Sequence, residues 1–347
     1  MKKTNTIVEH FLNVKGVNMR TARFIGTIIA VVSIAFFLSG YAKSAEIKTM
    51  TPLPSSESGL PAIVAEPWVK IDNDPNIFLE GPAFDKEGNL FVTSVSDGRI
   101  FKITPDKKIS TIFNKKGVLA DGLAIHKDGR LFVACISGEL MTMDTSGGNI
   151  TNVEPKYQGK PKSLNDLVFD SRGNLYITDF IGTFANPTGG VYRFSADGKT
   201  VQPVIENLAS ANGIAFSPEG NVLWVTETGR NTLIRLQLAP DGIAVRSAGI
   251  PYHFTGTPGC DSMKVDAKGN LYVCLVRQGR ALVLNNQGIP VANVLVPGRD
   301  EGKNLGTANL AFKPGTNEVY ITAFGTDGAW IYKFRGLAEG LKLFSHQ

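Results

Sequence analysis

One pattern recurs six times along this chain. A polar, oxygen-bearing residue leads a short apolar run, a turn rich in Asp, Gly and Asn follows, and a second apolar run closes the unit. The copies are EGPAFDKEGNLFV from Glu80, DGLAIHKDGRLFV from Asp121, NDLVFDSRGNLYI from Asn165, NGIAFSPEGNVLWV from Asn212, DSMKVDAKGNLYV from Asp261 and NLAFKPGTNEVYI from Asn309. Two β-rich runs around a Gly/Asn turn read as a hairpin, because such turns need positive φ. Successive copies start 41, 44, 47, 49 and 48 residues apart. A period in the forties with several strands per unit is the signature of a β-propeller. Six such units use up the length, so the expected fold is all-β: a six-bladed propeller of four-stranded blades. Ala62 to Ile71 reads as a fourth strand without its first three, and the last blade ends weakly after Trp330–Phe334. The two ends are therefore expected to complete one blade and close the ring, which removes exposed edges.

The first 45 residues are of another kind. Lys2, Lys3, Lys15, Arg20 and Arg23 precede an uncharged apolar run from Phe24 to Leu38, and small residues surround Ala42, Ser44 and Ala45. That is the layout of a secretory signal peptide, with Met19 an alternative start. The run is shorter than the roughly 20 apolar residues of a spanning helix, so cleavage is favoured over an uncleaved anchor. The expected location is periplasmic or secreted, with no membrane association after cleavage. This segment carries six Lys/Arg and one acid, and the rest of the chain has 30 of each sign. The formal +5 thus belongs to the export signal and is no argument for a nucleic-acid partner. Residues 46–60, rich in Pro and Ser, read as a flexible linker, and 61–347 as the propeller. Cys135, Cys260 and Cys274 fit neither a disulfide nor a zinc pattern and are expected reduced and buried.

In every copy the opening polar residue lies ten positions before the first apolar residue of the next strand, from Glu80/Leu90 to Asn309/Val319. Equal register in pseudo-symmetric blades would bring Glu80, Asp121, Asn165, Asn212, Asp261 and Asn309 into one ring at a channel mouth. Converging carboxylates are costly to bury unpaired, so water or a cation is expected among them. An Asn or Asp at one strand start serves equally well as a turn cap; six in register point to a site. There is no HxH, HExxH or CxxC, and no His occupies a ring position. Oxygen ligands of this kind suit Ca²⁺, with Mg²⁺ or Mn²⁺ alternatives and Zn²⁺ a poorer match. A cation at an open mouth with a nearby Asp suits metal-assisted hydrolysis of an ester-like carbonyl.

The segments EGPAF, LNDLVFDSRGNLYITD, ANGIAFSPEGNVLWVTET and CDSMKVDAKGNLYV resemble the blades of the senescence marker protein/gluconolactonase/luciferin-regenerating enzyme family. GTFANPTGGVYRF, PYHFTG, QGRALV and VLVPGRDEG are similar to the drug-responsive, calcium-dependent lactonases within it. The resemblance implies a six-bladed propeller with one catalytic divalent metal and a small lactone as substrate. It implies Glu80, Asn165, Asn212 and Asp261 as metal ligands, with Asp261 also the acid/base and Ser262 beside it. Asp121 and Asn309 are left as supporting or substrate-contacting residues. The resemblance also implies a second calcium, whose acid is missing from the loop Tyr157–Lys162, so this chain is expected to lack it. Phe184 and Asn186, on the loop 181–190, and Phe254 are candidate substrate contacts. His126 is read as a solvated turn residue. A monomer is expected, and the alternative to a lactonase is a non-catalytic exported propeller binding a ligand or partner.

Overall fold

The computed structural model describes residues 51–158, 160–195 and 200–347; the expected export signal, residues 1–45, lies outside them. The described chain is built of strands, with a single 3₁₀ turn at Phe344–His346. Six sheets follow one another, each with four antiparallel strands running from the axis outward, the fifth carrying one further strand at its outer edge. Their innermost strands are Leu79–Phe84, Ala120–Ile125, Leu164–Phe169, Ala211–Phe216, Gly259–Val265 and Gly306–Phe312. Each inner strand packs against the next, and the sixth returns to the first, so the propeller is closed.

Local chemistry explains the hairpins. In the first, third and fifth blades the turn begins with Asp and ends with Asn, as Asp85/Asn89, Asp170/Asn174 and Asp266/Asn270. One Asp oxygen accepts the Asn backbone N–H at 2.7–2.9 Å and the other accepts its side-chain amide at 2.7–2.8 Å. The intervening glycines, Gly88, Gly173 and Gly269, sit at φ near +80°. That turn chemistry is what the recurrent Gly-Asn reports.

Both faces of a blade are covered by neighbouring blades, so the second strands read LFVTS, LFVAC and LYITD without polar alternation and are wholly buried. One apolar cluster fills each of the six interfaces between blades. Burying one Leu or Phe completely contributes about 1.5–3 kcal/mol, and each interface repeats it many times. Cys135, Cys260 and Cys274 are free thiols inside these clusters.

The expected strand from Ala62 to Ile71 is two strands in two blades. Ala62–Val64 pairs in parallel with Pro290–Leu295, adding a fifth strand to the fifth blade. After Ala65, Glu66–Asp72 pairs antiparallel with Gly328–Arg335 and completes the sixth. Residues 51–60, expected to be loose, are anchored. Glu57 is buried against the fully buried Arg280, its second oxygen accepts the Tyr252 hydroxyl at 2.6 Å, and its backbone carbonyl accepts the Asn293 amide at 3.0 Å. A buried guanidinium demands an acid, and the segment before the propeller delivers it. His126 is also not solvated: it packs on Phe132, Phe169 and Phe344, because the C-terminal tail folds back over that turn.

Candidate metal centre and axial site

A single irregularity, repeated in every blade, builds the site. Where the inner strand begins, it carries one residue more than its partner, a β-bulge in all six sheets. A bulge re-aims side chains away from the ladder. Counting back four from the residue that closes each hairpin (Phe84, Ile125, Phe169, Phe216, Val265, Phe312) gives Glu80, Asp121, Asn165, Asn212, Asp261 and Ala308. The sixth ring position is thus Ala308, and Asn309 lies one residue further on. The fourth and sixth hairpins each have one more turn residue than the others. In the fourth the extra residue is the apolar Val222, but in the sixth it is Glu318, so counting back ten from Val319 falls one residue short.

Asn309 nevertheless reaches the ring, because the acids and amides pair across blade boundaries. Asn165 Nδ2 donates to Asp121 Oδ2 at 2.7 Å, and Asn309 Nδ2 donates to Glu80 Oε2 at 2.8 Å. The Asn212 amide acts on Asp261 from the neighbouring blade, and the Ser262 hydroxyl lies 3.4 Å from Asn212 Oδ1. Two carboxylate–amide hydrogen bonds thus run across blade boundaries, with Asn212 beside Asp261, and all six side chains are buried. Glycine lets the blades come this close. A Cβ on Gly122 would stand 2.4 Å from the Asn165 carbonyl, and one on Gly213 would stand 2.7 Å from Ser262 Cα. Buried threonines of the second strands hold the bulges: Thr226 donates to the Asp261 carbonyl and receives the Gly213 N–H, both at 2.7 Å. Thr178 and Thr322 bond the same region of their own blades, and Thr93 donates to the Asp121 carbonyl of the next.

The acids act on one another through this small volume. Burial, then the charge of Asp166, raises Glu80 to about 7, against the pull of the Gly81 N–H and the Asn309 amide. Burial raises Asp121 well above the usual carboxylate range, reinforced by Glu80 and Asp261. Burial and Glu80 do the same to Asp261, which the Asn212 amide opposes. Mutual elevation of this kind is relieved by protonation or by a cation. Among the described residues, no three His, Cys, Asp or Glu side chains gather tightly enough to hold a metal by themselves. A cation there would need amide oxygens as well as carboxylates, and that mixed donor set fits a hard divalent cation.

The spacing count did not single out Asp166 or Lys264. Asp166 follows Asn165 and is buried, and Lys264 Nζ lies 3.1 Å from its Oδ2. The signal was present, as a Lys in MKVD where other copies read LAIH, LVFD and IAFS. The remaining candidates lie apart from the ring. The loop 181–190 is tied to the mouth by Ser210, which donates to the Ile181 and Gly182 carbonyls at 3.0 and 2.9 Å. Phe184 on it is 72% exposed, and Asn186 is also exposed. Phe254, expected to wall the pocket, is instead buried with Tyr252, Cys260 and Met263 between the fourth and fifth blades. In the loop Tyr157–Lys162, Lys162 is buried, its ammonium 3.1 Å from Asp179 Oδ2 and 3.8 Å from the Tyr192 ring centre.

Residues 78–325 match the model of the SMP-30/Gluconolactonase/LRE-like region. The chain is 42% identical over 305 residues to Lactonase drp35 of Staphylococcus haemolyticus, covering 84% of this chain and 93% of the relative. It is 41% identical over 303 residues, with the same coverage, to Lactonase drp35 of Staphylococcus aureus. Among solved structures, a luciferin-regenerating enzyme superposes with a TM-score of 0.68 at 22% identity, covering 81% of this chain and 99% of its own. A calcium-binding protein, regucalcin, from Agrobacterium tumefaciens superposes with a TM-score of 0.66 at 20% identity, covering 81% and 98%. From the blade motifs, the closed ring and these matches together, the chain belongs to the SMP-30/gluconolactonase/LRE-like family.

Proposed function

We propose that this chain is an exported, monomeric lactonase that opens a small lactone to its hydroxy acid with one divalent cation, calcium first. The observation that carries the reading is the convergence of Glu80, Asn165, Asn212 and Asp261 at one channel mouth, in a member of a family that includes lactonases. These four residues would hold the cation, with the Ser262 hydroxyl beside them. When bound, such an ion supplies Lewis acidity to a carbonyl and makes water more acidic. Asp261 takes the proton from the attacking water and returns it to the ring oxygen as the acyl–oxygen bond breaks. Asn212 orients the Asp261 carboxylate through its amide. Asp121 and Asn309 fix the facing ligands Asn165 and Glu80. Phe184 and Asn186, on the mouth loop, would meet the substrate's outer part. Lys162 fills the loop where a second calcium would need an acid, so one ion per chain is expected.

A panel of sugar, aromatic and acyl-homoserine lactones, assayed with and without chelator, tests the reading. Hydrolysis should stop on chelation and return with calcium. Asp261→Asn should lower kcat by about 10²–10⁴-fold, the usual worth of a positioned acid/base, with melting little changed. Full activity in Asp261→Asn, or turnover indifferent to chelator, would overturn it.

A further inference from the structure

Below the ring the channel wall is apolar in five blades and charged in one. Three residues beyond the ring positions stand Ala83, Ala124, Val168, Ala215 and Ala311, and in the fifth blade Lys264. All six line a cavity of about 1050 Å³ at the opposite mouth, roofed by the tail Glu339–Gln347. Lys264 lines this cavity with its side chain 20% exposed, but its charge is not left to solvent. Its ammonium crosses the axis to Asp166 of the third blade, two blades away, at 3.1 Å. The other Asp166 oxygen is held by the Leu167 N–H at 2.9 Å. The bridge therefore lies between the ring above and the cavity below, and the charge of Lys264 is felt at Glu80.

Four carboxylates, Glu80, Asp121, Asp166 and Asp261, share this axis, and Lys264 is the cation paired with one of them. We propose that Lys264 is a built-in counter-charge that floors the cation site, keeps Asp166 out of the ligand set and sets the affinity for a divalent ion below what the acids alone would give. The inference rests on the ring being the cation site. Fixed charges a few ångströms apart in a poorly solvated channel interact strongly, so the pair must act on any ion above it, Lys264 against binding and Asp166 for it.

Isothermal titration of the purified propeller with calcium chloride tests this in wild type, Lys264→Met, Lys264→Gln, Asp166→Asn and the double variant Lys264→Met/Asp166→Asn, each checked for folding by its melting curve. Both Lys264 variants should bind calcium at least about tenfold tighter and Asp166→Asn at least about tenfold weaker, with the double variant returning to within about threefold of wild type. A bridge that is only structural predicts that both single changes weaken binding, and that result overturns the proposal. So does a Lys264 variant that binds no more tightly than wild type, or failure of every variant to bind. Wild type silent with Lys264→Met binding would support it, because the lysine would then exclude the ion. Lactone turnover in the same samples separates the two readings. Normal turnover with unchanged affinity in Lys264→Met removes only the counter-charge, whereas no turnover with the expected affinity pattern removes only the lactonase.

Discussion

Thr226 shows how much of this site is decided by single buried groups. Its hydroxyl receives the Gly213 N–H and donates to the Asp261 carbonyl, so one atom ties the fourth blade's bulge to the fifth blade's acid. Thr226→Val keeps the shape and leaves an amide N–H buried without a partner, a loss of about 1–3 kcal/mol. Urea unfolding should show that loss. Calcium titration should show weaker binding as well, because Asp261 is no longer held in register. The equivalent positions in the second and fifth blades are Ala134 and Cys274. A blade therefore folds without this hydroxyl, and the cost should stay local. Residue chemistry was only partly legible beforehand. The ten-residue count found Glu80, Asp121, Asn165, Asn212 and Asp261 because strand alternation and hairpin length nearly repeat. It misplaced the sixth member at Asn309 because the sixth hairpin is one residue longer. The fourth is equally long, but its last turn residue, Val222, is apolar and kept the count in step. A bulge is visible only in a ladder. Phe254 went to the core because an aromatic near a site residue looks the same in sequence whether it faces a pocket or a neighbouring blade.

Two terminal segments behave as elements that the repeat does not define, so neither could be read from it. Before the propeller, Glu57 neutralises Arg280, which also donates to Asn293 at 2.6 Å. Removing one partner of a buried pair costs about 3–5 kcal/mol, here toward the lower end because Gln278 and Asn293 still accept from the guanidinium. Glu57→Ala should lower stability by that order in a denaturant titration, and Glu57→Ala/Arg280→Met should recover part of it. After the propeller, the tail lays Phe344 on His126 and Phe169 and sets His346 beside the Phe84 carbonyl. Burial lowers the His346 pKa below its ordinary 6.5, reinforced by Lys86 and Lys342, against the pull of that carbonyl. A depressed folded pKa means the docked tail is favoured above about pH 6.5, and that this contribution is lost as pH falls through the folded value. The protection factors of the Leu341–Gln347 amides, that is exchange divided by its intrinsic rate at each pH, should therefore fall between pH 7 and pH 5. In His346→Gln they should change much less over the same range.

For the whole molecule, the repeat dictated six blades, but closure depends on chain ends that share no repeat. The sixth blade takes three strands from the C-terminal end and its outermost strand, Glu66–Asp72, from the N-terminal end. That strand brings Trp68, Val69 and Ile71 into the cluster between the sixth and first blades, with Trp68 edge-on to Tyr320 at 4.8 Å. It also brings Asp72, whose carboxylate takes the Arg99 guanidinium of the first blade at 2.8 Å. Across the same seam Asn309 bonds Glu80, so closing the disc and completing the ring are one event. A chain beginning at residue 61 keeps the seam and loses the Glu57 anchor together with the Thr51 contacts to Arg299 and the packing of Leu60. It should melt cooperatively at a lower temperature and still bind calcium. A chain beginning at residue 74 exposes the edge of Gly328–Arg335 and strips an interface of three large side chains. It should lose cooperative melting and calcium binding together, with self-association through the bare edge visible by size exclusion. If the shorter chain kept its ion while its melt broadened, the ring would not depend on the seam, and the assignment of Glu80 and Asn309 to one shared site would fail.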